Sequence, residues 1–188
     1  RQHDDARAQL RLLADGDSAA TRMAVLDPVL LDAVVRGLQR AVTDGLPAAL
    51  RGATADDLIA LLEARGDWAE AASTLWAEAE PTAVGAAKLA RAARNYLHID
   101  DRASAEAALL AALRQNPDQG ELYRMLAVDV YAAQGDFPTA DQVLAAGQDN
   151  AIDMLPVYLG VTDVIARRER ARVEHAVVTE TTPLASAR

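Results

Sequence analysis

Three segments of this chain match when the sequence is slid along itself. Gly66-Asp67-Trp68 is followed by Ala71 and Leu75, Asp100-Asp101-Arg102 by Ala105 and Leu109, and Gly135-Asp136-Phe137 by Ala140 and Leu144. Asp67 to Asp101 is a step of 34 residues and Asp101 to Asp136 a step of 35, and the Ala and Leu positions keep the same two steps. Several positions moving together at one period restrict the fold sharply. Each unit of such a repeat is too small to bury its own apolar face, so it must stack on its neighbours.

The unit is helical. Before each of the three turns, apolar residues recur in steps of three, one and three, which puts one stripe on a helix. They are Ala55, Leu58, Ile59 and Leu62, then Leu89, Ala92, Ala93 and Tyr96, then Tyr123, Leu126, Ala127 and Val130. Ala, the best helix former, is abundant, and no sustained alternation of period two marks a strand. With only 4% aromatic residues, the core must be built from Leu, Ala and Val. The expected fold is all-α. Ala71, Ala105 and Ala140 sit one turn into the second helix of each pair, where antiparallel helices cross most closely and a bulky side chain would cost about 1–3 kcal/mol. The Gly-Asp and Asp-Asp turns supply a helix stop and then an N-cap. Thr54-x-x-Asp57 has the form of a capping box, and Asn116-Pro117 must end a helix.

The second unit reads Leu89-x₂-Ala92-Ala93-x₂-Tyr96, then Ala105-x₃-Leu109, then Pro117, and the third reads Tyr123-x₂-Leu126-Ala127-x₂-Val130, then Ala140-x₃-Leu144, with one extra residue near Gln134. In this the chain resembles the tetratricopeptide repeat family, over roughly 52–150. The resemblance implies a right-handed α-solenoid of antiparallel helix pairs over 52–151. Residues 1–51 would be flanking helices at about 4–14, 18–26 and 28–43, perhaps including a shortened repeat, with Asp27-Pro28 as cap and first helical residue. Residues 47–53 read as a loop or short helical piece. Asp153 would cap a terminal helix over 152–178, whose outer face should be polar, as the Arg167–Arg172 stretch fits. Residues 179–188 would be a flexible tail.

Composition removes several function classes. With no Cys there is no disulfide, thiol nucleophile or Cys-ligated metal. A net charge of −9 lacks the basic face that nucleic-acid binding needs. No apolar run reaches the length of a membrane span, and no signal-peptide pattern is present. The compartment, cytoplasmic or periplasmic, stays open. His3, His98 and His175 have no ligand partner at helical spacing, and no GxSxG, P-loop or GxGxxG occurs. The sequence therefore points to a non-enzyme, with no catalytic residue, cofactor or metal.

By resemblance, the first helices of the pairs line a concave groove that receives a partner segment. Opposite the core stripe, the second unit carries Arg91, Arg94 and His98, and the third adds Arg124 at the edge, with Met125 and Val128 as an apolar floor. Asp56, Asp57 and Glu63 would make the first unit's end of the groove acidic. Arg forks can grip a carboxylate bidentately, although exposed Arg residues on a helix are also ordinary solvated charges. The expected role is a protein- or peptide-binding scaffold or adaptor. The alternative is a structural assembly or oligomerisation domain, a member of a larger, envelope-associated complex.

Overall fold

The structure is a computed structural model that describes residues 28–44 and 48–180. The helices expected at 4–14 and 18–26, His3 and the tail beyond 180 lie outside the described residues. No strand occurs among the residues described. Helix α1 spans Pro28–Thr43, α2 Ala48–Arg65, α3 Trp68–Ala77, α4 Ala83–His98 and α5 Arg102–Gln115. Helix α6 begins as Gly120–Arg124, widens into a π-helix over Met125–Tyr131 and tightens to a 3₁₀ turn at Ala132–Gln134. Then come α7, Phe137–Asn150, and α8, Met154–Glu180.

One turn geometry recurs three times. Gly66, Asp100 and Gly135 all have positive φ (85°, 58° and 81°). In each turn the next residue's N–H (Asp67, Asp101, Asp136) donates to the carbonyl five residues back, on Leu62, Tyr96 and Tyr131. The positive-φ residue itself donates to Glu63, Leu97 or Ala132. This is the Schellman stop, and it satisfies carbonyls that a helix end leaves open. Only glycine adopts such a φ without strain, so Asp100 is the costly member of the set. Asp101 and Asp136 then cap the following helix by accepting from Ser104 and Thr139 N–H. Asp67 occupies the same place, but its carboxylate is held by Arg65.

These equivalences relocate the extra residue of the third unit. The carbonyl acceptors Leu62, Tyr96 and Tyr131 are separated by 34 and then 35 residues, so Tyr131, not Val130, is the counterpart of Tyr96. The additional residue was expected in the turn near Gln134. It is instead absorbed inside the helix, whose π-helical turns are one residue wider than α turns. The turn itself keeps its length.

The core is a series of clusters in chain order. Leu58 and Leu62 pack with Val35, Leu38 and Ala71 across α1–α3. Ile59, Ala72, Leu75 and Ala92 join α2, α3 and α4. The next cluster joins α4, α5 and α6 around Leu89, Ala105 and Leu126, and the last joins α6, α7 and α8 around Val128, Leu144 and Val164. Substantial contacts link only elements one or two places apart. Ala71, Ala105 and Ala140 are fully buried, as the crossing argument expects. Gly147 serves the same end in α7, because a Cβ there would lie 3.0 Å from Tyr123 Cβ.

Three expectations fail. Thr54 does not cap a helix, because α2 already starts at Ala48 and passes through it; nor is 47–53 a loop beyond Pro47. The terminal helix, capped by Asp153 through Leu155 N–H, runs on to Glu180. Its outer face is not polar: Leu155, Tyr158, Leu159 and Ile165 are exposed. Its inner face, Val157, Gly160, Val161 and Val164, lies 34 residues beyond Tyr123, Leu126, Ala127 and Val130. Helix α8 thus occupies the place of another first helix, with no second helix packed on it among the described residues. In a first helix, the outward face is where the pair's second helix belongs, which is why it is apolar.

Candidate functional site

The first helices α2, α4 and α6 present the residues that the sequence singled out. Between α2 and α4 the charges are mutually satisfied. Arg91 grips Glu63 with both prongs of its guanidinium, Nε to Oε1 at 2.8 Å and Nη2 to Oε2 at 2.5 Å. Asn95, only 3% exposed, donates its amide to the same carboxylate at 2.8 Å. Burial pushes the Glu63 carboxyl up, but the hydrogen bonds from Arg91 and Asn95, with the charges of Arg91 and His98, outweigh it and hold the carboxyl below its ordinary value. Arg91 is raised in return, mainly by its hydrogen bond to Glu63. Nearby, Lys88 lies 3.8 Å from Asp56. Arg91 is therefore no free anchor, and the acidic and basic ends of the expected bipolar groove neutralise each other. Their partners are 28 residues apart in sequence, so helical spacing along one helix could not reveal the pairing.

Between α4 and α6 the surface stays open. Arg94, Leu97, His98, Arg124, Met125 and Asp129 line a shallow depression of about 320 Å³. Four of the six expected partner-binding residues thus meet at one place. Arg94 is exposed, with no hydrogen bond or ion pair to any described residue. His98 is held by stacking on Trp68, centroid to centroid at 4.3 Å with 24° between planes. That contact fixes the ring at the depression's edge, and a Trp at the start of α3 was its only sequence sign. Arg124 is bidentate to Glu121, both bonds 2.8 Å, and 3.7 Å from Asp129. Its fork is occupied, so Arg94 is the cation left available.

The expected apolar floor is corrected. Met125 is 1% exposed and belongs to the core cluster, offering the depression little surface. Val128 is equally buried, lies in the α6–α8 cluster and does not line the depression. The reason is that α6 is packed on both flanks, by α4 and α5 on one and by α7 and α8 on the other. Only Glu121, Arg124 and Asp129 reach its rim.

Asp129 comes from the π-helical segment. Burial pushes its carboxyl up, and the nearby Arg124 and Arg167 only partly offset this. Arg167 lies 3.7 Å from Asp129 and donates to the Val128 carbonyl at 3.1 Å. Arg168 pairs with Asp141 and sits over the Phe137 ring at 5.5 Å. Two Arg of the terminal cluster thus tie α8 to the body.

Among the described residues no group of three His, Asp or Glu gathers in a way that could hold a metal. Asp100 pairs with Arg102 and Asp101 caps α5, so neither turns toward His98 as a ligand would. No described helix is long and apolar enough to cross a membrane. No family model, curated protein or solved structure matches this chain.

Proposed function

We propose that this chain is a peptide- or protein-binding module, a right-handed solenoid of tetratricopeptide-like helix pairs whose first helices face the partner. The reading is supported by the threefold turn geometry, the buried crossing alanines and the chain-ordered core. The observation that carries it is Arg94, unpaired beside a pinned His98 at the only described seam between first helices that leaves cationic groups facing a depression. A partner segment with an acidic side chain or a free carboxylate suits this place, because a guanidinium fork binds carboxylates bidentately. No bond-making group is needed, and the binding work is preorganisation. The α8 outer face supports a second reading, assembly through that helix.

The test is selection from a displayed library of random peptides, followed by titration of the enriched peptides against wild type and Arg94→Glu. Enriched acidic peptides should lose at least tenfold in affinity with Arg94→Glu while helicity and melting stay unchanged. Failure to enrich any peptide, or equal affinity for both proteins, would remove the reading.

A further inference from the structure

The outer side of α8 is an apolar stripe with nothing described upon it. Leu155, Tyr158, Leu159 and Ile165 are 66%, 56%, 51% and 52% exposed, with Thr162 and Ala166 between them. At about 100° per residue these positions fall opposite Val157, Gly160, Val161 and Val164, which seat the helix on α6 and α7. Residues 169–176 are exposed on every side. A single helix in water is marginal on its own, so a partner for this length would contribute directly to its stability.

The charges along α8 say what kind of partner fits. From 152 to 164 the ionised groups are Asp153 and Asp163 alone; from 165 to 176 they are Arg167, Arg168, Arg170 and Arg172 with Glu169 and Glu174. The first half is acidic and the second is net basic. Arg170 and Arg172 are the ones not tied to the body, Arg172 holding only Glu169 on its own helix. A helix with this layout complements itself when turned end for end. A parallel copy would instead set Arg against Arg.

We infer that the chain forms a two-fold dimer through antiparallel pairing of α8 with α8 of a second copy, centred near Thr162. In that arrangement Leu159 meets Ile165 of the second copy and Tyr158 meets Ala166. Asp153 comes opposite the Arg170–Arg172 stretch. Thr162 and Ala166, the small residues, lie at the crossing, where they permit close approach. The two helix macrodipoles run in opposition, which adds to the preference. The interface is isologous, so association stops at two. It gives the assembly reading a definite form and does not involve α4 or α6, so its failure would leave peptide recognition untouched.

The chain has no Cys, so single cysteines report the geometry cleanly. Sedimentation equilibrium should show a concentration-dependent doubling of mass, with Leu159→Glu weakening association at least tenfold at unchanged helicity. Arg170→Glu with Arg172→Glu, on the exposed face, should weaken it as well. Under a glutathione redox buffer, Thr162→Cys should cross-link to itself across the two-fold axis, while Val173→Cys should not. A monomer at every concentration would overturn the inference. So would association indifferent to Leu159→Glu and to the Arg reversals, or Val173→Cys cross-linking as readily as Thr162→Cys.

Discussion

The seam between α2 and α4 and the seam between α4 and α6 are built from the same materials, a carboxylate among arginines, and they behave oppositely. In the first, Arg91 reaches Glu63 in two short hydrogen bonds, Asn95 completes the set, and the carboxyl is held below its ordinary value. In the second, the closest approaches to Asp129 are 3.7 Å, from Arg124 and Arg167, and burial wins, so the carboxyl is pushed up. The lesson is that charge composition does not decide the character of a seam. Direct bonding does, because desolvation of a carboxylate is offset only by well-aligned donors. The first seam is closed by its own side chains, and the second leaves Arg94 and His98 facing outward.

Deletions in the third unit sharpen the contrast most. Removing Gly135 breaks the Schellman stop and shifts everything after it, at about 3 kcal/mol or more. Removing Asp129 restores the 34-residue step by converting the π segment to α, at about 1 kcal/mol or less. Urea melts of the two deletions should differ accordingly, and equal losses would refute the placement of the extra residue within the helix.

Next comes the closed seam. Glu63→Ala leaves the buried Asn95 amide without its acceptor and Arg91 without its partner, with a loss of about 1–2 kcal/mol after allowing for the solvent around Arg91. Glu121→Ala, on the open side, should cost less. Chemical denaturation of both variants measures the difference.

The pH response of the two carboxylates should run in opposite directions. Glu63 is depressed in the fold, so its contribution is present above the unfolded value, about 4.3, and is lost as pH falls through the lower folded value. Asp129 is raised, so its contribution is full below the unfolded value, about 3.9, and is lost as pH rises through the higher folded value. Relative to wild type, Glu63→Gln should flatten the acid loss. Asp129→Asn should gain in relative stability as pH climbs through the folded Asp129 value. Matching slopes for the two variants would contradict the comparison.

The smallest effect belongs to Arg94. Arg94→Ala should change stability by less than about 0.5 kcal/mol, because the side chain is exposed and makes no described bond. A larger loss would mean that the open seam depends on Arg94 as the closed seam does on Arg91.

Much of this molecule was legible in the chain. The Asp67, Asp101 and Asp136 turns, the crossing alanines and the stripes through Leu58, Leu89 and Leu126 follow from local periodicity, and local geometry delivers them. The helix over 28–43 follows from Asp27-Pro28 in the same way, with the structure beginning it at Pro28. What periodicity missed depends on elements far apart in sequence. The commitment of Arg91 to Glu63 needs two helices brought together, and the burial of Val128 needs α8. The π-helix shifted Tyr131 into the place assigned to Val130, since a repeat count cannot tell a wider helix from a longer turn. The apolar outer side of α8 was readable from Leu155, Tyr158, Leu159 and Ile165, but the Arg-rich stretch after it drew the expectation of a polar face.

The central claim is that recognition takes place on the first-helix side, between α4 and α6. Hydrogen exchange of the protein with and without an enriched acidic peptide tests it most directly. The account predicts added protection over 91–98 and 121–129, with α3, α5 and α7 unchanged. Protection confined to those second helices, with α4 and α6 unaffected, would contradict it.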